Sequence, residues 1–275
     1  MRKAFQAAAT LLVVLGISQT SSAAPRAMQP CQEQALGNLE RLSPRGYTIY
    51  KAMTDKKQFL TWLTCDDIQL GLATSVHESV HALTEERDAF PLINGGEVRR
   101  PHQVSKFFAP KEVVRNFDSN DSYVQTYLRP GGASSANDFL YMLDELNAYS
   151  HDLHSAVRLV SLRRRDREID HRDGLTALMA FVVSYVDTAQ KKRLAAWQGL
   201  QSPEPRRALQ ILWTQAETAL ESSCGIPTFG RKDRDYIAFM RNPKNNAALT
   251  ELIGRAPNFS IDCLSPTVTG STKPR

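Results

Sequence analysis

The residues best suited to chemistry are the run His77-Glu78-Ser79-Val80-His81. Two histidines four residues apart on a helix project from one face, about 6 Å apart along the axis. Both rings can then reach one metal ion at the roughly 2.0–2.1 Å of a zinc–nitrogen bond. Glu78 stands beside the pair. It is poorly placed to be a third ligand, but its carboxylate can reach a zinc-bound water. Zinc lowers the pKa of such a water, so Glu78 can take its proton and later deliver it to a leaving amine. Hydrolysis of a peptide bond by this route needs His, Glu and His at this spacing.

The set works only if a helix holds it. Asp66 or Asp67 can cap one, and Ile68, Leu72, Val76 and Val80 recur every four residues, with Leu83 one turn beyond. That stripe faces a core. The spacing predicts a helix ending near Glu86, at the charged run Glu85-Glu86-Arg87-Asp88.

A catalytic zinc needs a third protein ligand and one open position. A second predicted helix, over about 137–163, carries Asp144-Glu145-Leu146-Asn147-Ala148-Tyr149, with Glu145 64 residues after His81. Tyr141, Glu145, Tyr149 and Asp152 share one face of it. Asp144 is turned about 100° away and His151 about 120°, while His154 is nearly opposite. His151 and His154 form an H-x-x-H pair and are the rivals to Glu145 as third ligand. With Glu145 toward the metal, Tyr149 is expected to donate a hydrogen bond to a developing oxyanion. Asp152 is expected to hold the second nitrogen of a ligand histidine. The alternative for Tyr141 and Tyr149 is core packing with wet hydroxyls.

HExxH on one helix, with a Glu from a later helix, resembles the gluzincin group of metallopeptidases. The resemblance covers roughly 66–86 and 137–155. It implies that His77, His81 and Glu145 ligate Zn²⁺, that Glu78 is the general base, and that the substrate is a protein or peptide. It also implies that the segment near 90–98 supplies an edge strand for an extended substrate. Four residues beyond the ligand, where that group carries an acid, this chain has Tyr149. The metzincin pattern, with a third His six residues past His81, is excluded by Thr84 and Arg87.

The remaining sequence sets the context. Arg2 and Lys3, the apolar run from Ala7 to Ile17 and the small residues Ser21-Ser22-Ala23-Ala24 read as a secretory signal peptide over 1–24. Export to the periplasm or the exterior follows. Loss of Arg2 and Lys3 lowers the formal charge from +5 to +3. The cluster Arg163-Arg164-Arg165 with Arg167 lacks interleaved aromatics, so no nucleic-acid partner is expected, and it reads as a solvated helix end. Leu175 to Val186 is too short to span a bilayer and reads as a buried helix, so no stable membrane insertion is expected. The four cysteines predict two disulfides, Cys31–Cys65 and Cys224–Cys263. Each closes a loop worth about 4 kcal/mol of chain entropy.

The fold class expected is α+β and mainly helical, a single zincin-like domain over 25–264 with a small sheet, a helical C-terminal half and a disordered tail over 265–275. Residues 25–45 read as a polar lead-in, Tyr47 to Tyr50 as a short strand, and Asn94-Gly95-Gly96 as the turn of a hairpin. Helices are predicted over about 174–199, from Pro203 to about Ser222, and near 232–241 and 244–254. His102 reads as a surface residue and His171 as a loop residue. Two other functions fit the pattern: a helical binding protein whose metal is structural or absent, and a zinc enzyme acting on wall peptides.

Overall fold

The computed structural model describes residues 28–164, 166 and 170–264. The expected leader, the C-terminal tail, and Arg165 and Arg167 of the basic cluster lie outside the described residues. The architecture is mainly helical with one two-stranded antiparallel sheet. The order is α1 (Pro30–Leu42), α2 (Pro44–Ala52), α3 (Lys56–Thr61), α4 (Ile68–Arg87), β1 (Ala89–Pro91), β2 (Glu97–Arg99), α5 (Ser122–Tyr127), α6 (Phe139–Arg158), α7 (His171–Lys192), α8 (Leu194–Gln201), α9 (Pro203–Ser223), α10 (Asp233–Arg241) and α11 (Pro243–Ile253). Short 3-10 turns fill much of 102–116.

α4 forms as its sequence demands. The Asp67 carboxylate accepts the Leu70 N–H at its start, which satisfies one of the orphan donors of the first turn. Leu72, Val76, Val80 and Leu83 are all fully buried. The helix stops where Asp88 turns left-handed, at φ 51°. β1 follows at once and pairs with β2, Phe90 opposite Val98. The turn between them needs Gly95, whose φ of 96° is open to glycine without strain.

α6 packs along α4, and α7 and α9 lie against α6. α7 is buried without a break from His171 to Val186, as expected of a helix that is apolar on nearly every side. It forms the axis of a large core built with α6 and α8–α11. A second, smaller core is formed by α1–α3 and the other face of α4. Ala73 of α4 belongs to the large core, while Ala148 of α6 and Leu159 just after it belong to the small one. The two cores therefore meet at the α4–α6 seam. The disulfides pair as expected: Cys31–Cys65 at the small core and Cys224–Cys263 at the large one. No helix among the described residues is long and apolar enough to cross a membrane.

Several local expectations are corrected. Tyr47 to Tyr50 lies inside α2, not a strand. Pro44 presets the first helical turn, and Tyr50 packs its ring against Phe59 at 5.0 Å, so tertiary packing overrides β propensity. Residues 30–42 are a helix rather than a lead-in, with Ala35, Leu36 and Leu39 buried. The helix predicted to 163 ends at Arg158 and is followed by a 3-10 turn. The helix predicted over 174–199 breaks at Arg193 into α7 and α8. His171 is not in a loop; it is the buried first residue of α7.

Candidate metal centre

α4 and α6 run antiparallel, which their cross-links fix at both ends. The Gln69 side chain donates to the Ala156 carbonyl at 2.9 Å, and His81 Nδ1 donates to Asp144 Oδ2 at 2.7 Å. This register sets His77 and His81 opposite the stretch of α6 that carries Glu145. The three ligand atoms converge. His77 Nε2 and His81 Nε2 are 3.2 Å apart, and Glu145 Oε2 lies 3.7 Å from the first and 3.5 Å from the second. Three ligands at about 2.0–2.1 Å around a tetrahedral ion sit roughly 3.3–3.4 Å from one another, so the triangle is close to that size. The group can hold a metal ion.

Two further observations fit a cation there. Glu145 Oε2 is buried and has no hydrogen-bond partner among the described residues, a state that buried carboxylates avoid. His81 is oriented by a carboxylate through its other nitrogen, as metal-bound histidines usually are. Burial lowers the His81 pKa, but its bond to Asp144 and the nearby Glu145 outweigh that and push it up to about 10. Burial, with His81 beside it, holds His77 down. His81 and Glu145 keep 24% and 15% of their side-chain surface exposed.

A cavity of about 230 Å³ opens beside His77 and Glu78, with Tyr127, Tyr149, Asp152 and His171 among its walls. Tyr149 stands edge-on to His77, ring centres 4.7 Å apart, and its hydroxyl is 2.7 Å from that of Tyr127. Burial and the neighbouring Tyr127 raise the Tyr149 phenol far above its ordinary value. Tyr127 is likewise raised, chiefly by burial. Both are therefore donors and not bases. The backbone of α7 leaves room for this ring only through Gly174: a Cβ there would fall 2.2 Å from Tyr149 Cε1.

The expected site residues separate into those the fold brings together and those it does not. His77, Glu78, His81, Glu145 and Tyr149 all gather at the seam. His151 and His154 do not. His151 Nε2 donates to the Pro91 carbonyl at 2.9 Å, and His154 lines a different cavity. Asp152 does not hold a ligand histidine; it accepts from His171 Nδ1 at 2.7 Å. The antiparallel register explains this, because Asp152 lies two turns further along α6, toward the start of α4 and away from His81. Asp144, although turned from Glu145, takes that part. Tyr141 is 36% exposed and stacks on Arg100 instead of lining the cavity. The hairpin also contributes no residue to the cavity walls, contrary to the substrate-strand expectation. His102 is exposed and bonds Asp88, as a surface residue does.

Sequence reading missed Asp144, Tyr127 and His171. His171 Nε2 is buried and unpartnered among the described residues, its ring held by Asp152 and facing Phe229. The only signal for Asp144 was its place next to Glu145; Tyr127 and His171 come from separate elements and had none. No family model, no curated protein and no solved structure matches this chain.

Proposed function

We propose that this protein is a zinc-dependent peptidase of gluzincin-like design, with His77, His81 and Glu145 as the metal ligands. The observation that carries this reading is the convergence of two Nε2 atoms and an unpartnered carboxylate oxygen, with Glu78 on the wall of the adjoining cavity. When bound, the zinc supplies a Lewis acid that polarises a carbonyl and acidifies water. The chain's own residues do the rest. Asp144 fixes the His81 tautomer and orients its ring. Glu78 accepts the proton of the attacking water and returns it to the leaving amine. Tyr149, or Tyr127 through it, donates to the oxygen on which negative charge develops. The paired cysteines are those of an exported protein, which accords with a substrate in the periplasm or outside the cell.

The test is metal content, by mass spectrometry, of the purified chain beside its Glu145→Ala variant. About one zinc per chain in the parent and a sharp reduction in the variant is the expected result. Zinc retained in the variant would remove Glu145 from the ligand set. Absence of zinc from both, even after zinc is offered, would favour the helical binding protein.

A further inference from the structure

A cavity of about 810 Å³ lies apart from the one beside the metal group. It lies across α6, bounded by the α1–α2 junction, the loop of the hairpin and α9. Its size falls in the range of roughly 300–1,000 Å³ typical of small-molecule sites. Leu42, Leu92, Ile93 and Ile211 make its apolar walls, and all four are only half-buried, so they form an open apolar surface that none of the described residues covers.

One end of this cavity is cationic. Arg45 and Arg158 both line it and both are exposed. Neither forms an ion pair with an acidic side chain among the described residues, in contrast to Arg100, Arg172, Arg193 and Arg255. The Arg45 guanidinium reaches the hairpin turn: a Cβ on Gly95 would sit 3.0 Å from its Nη1. His154 lies one turn before Arg158 on the same face of α6. Burial, then Arg158 and Arg45, push His154 down to about 4, and no acidic side chain among the described residues lines the cavity beside these three basic ones. Apolar walls ending in two unpaired guanidinium groups are complementary to a molecule with an acyl chain and one anionic head.

We infer that this cavity is a second binding site, separate from the metal group, for a single-chain amphiphile with a carboxylate head, such as a medium- or long-chain fatty acid. The head would lie between Arg45 and Arg158, and the chain along Leu42, Leu92, Ile93 and Ile211. The inference does not rest on the peptidase reading.

The probe is laurate, titrated calorimetrically below its micellar concentration into the full-length parent, Arg45→Ala/Arg158→Ala and Ile211→Glu. Both arginines are exposed, so their replacement should leave thermal unfolding unchanged. Laurate should bind the parent at one site, at least tenfold more weakly to the arginine variant, and not measurably to Ile211→Glu. Affinity should rise roughly fourfold per methylene from octanoate to laurate. Dodecyltrimethylammonium, with the same chain length and the opposite charge, should not bind. The proposal is overturned if laurate does not bind the parent, if the arginine variant binds it equally well, or if the cationic amphiphile competes with it. Preferential binding of a peptide with an apolar carboxy terminus over laurate would also overturn it, since the occupant would then be a peptide.

Discussion

Two groups of buried polar residues, one at the start of α7 and one at the α4–α6 seam, are built from the same kinds of residue but completed to different degrees. In one, Arg172 Nε donates to Asp233 Oδ2 at 2.6 Å, and Arg172 Nη1 to the Ser223 carbonyl at 2.6 Å. Asp173 accepts the backbone N–H groups of Arg231, Lys232 and Asp233, which caps α10. None of these three side chains carries an unpartnered buried atom among the described residues. In the other, Asp144 Oδ1 and Glu145 Oε2 are buried without a partner among the described residues, as is His171 Nε2 across the adjoining cavity. Native interiors satisfy nearly all buried polar groups, and exceptions need an explanation. The closed network holds α7 and α10 together. The open one adjoins His77, His81 and Glu145, the group that could hold a metal ion.

The sharpest way to separate the two is through Glu78. Glu78→Gln removes the proposed base and leaves the ligands alone. Turnover of a peptide substrate should fall by about 10²–10⁴-fold, with zinc content and thermal midpoint unchanged; retained turnover would sink the mechanism. The next effect belongs to the closed cluster. Arg172→Ala strands the buried Asp233 carboxylate and should cost about 3–5 kcal/mol of folding stability in denaturant titrations, whether or not zinc is present. Zinc at a hundredfold excess over its dissociation constant should stabilise the parent by about 2.7 kcal/mol, and that increment should vanish in Glu145→Ala. Equal zinc stabilisation of both proteins would erase the distinction drawn between the clusters.

Asp144→Asn tests the finer point of how His81 is held. Loss of the carboxylate partner should weaken zinc binding by about 10–100-fold, read in competition with a chelating dye. Asp152→Asn should leave zinc affinity in place, because Asp152 serves His171 instead. The remaining effect is one of pH. Burial, opposed by the bond to Pro91, pushes His151 down to about 4, and His154 is held equally low. The folded chain therefore leaves both unprotonated in a range where the unfolded chain, with histidine near 6.5, binds protons. Stability should fall as pH drops from about 6.5 to about 4, by at most about 1.4 kcal/mol per pH unit for each histidine. His151→Gln keeps a donor for Pro91 and should flatten that slope. An unaltered slope would mean that His151 does not titrate in this way.

Local pattern carried the reading a long way where one element was sufficient. The cap, stripe and end of α4, the start of α9 at Pro203 and the turn at Gly95 each depend on residues within a few positions of one another. The same holds for the HExxH spacing, since helix geometry alone puts His77 and His81 on one face. Reading failed where a neighbour decided the matter. Tyr47 to Tyr50 has a strand's composition, but Pro44 and the packing on Phe59 make it helical. His171 has loop-like neighbours, but the fold buries it against Asp152.

By itself, then, the sequence determined the two histidines and the glutamate between them, the mainly helical class, the disulfide pairing and the central burial of α7. Only the tertiary structure placed Glu145, and not His151 or His154, beside the two histidines, and made Asp144 rather than Asp152 the partner of His81. The reason is the antiparallel register of α4 on α6. A helical wheel gives the direction of a side chain but not its height along the partner helix. That height is set by packing across the seam between the two cores, which joins residues some 60 to 90 positions apart, as His81–Asp144 and Gln69–Ala156 are.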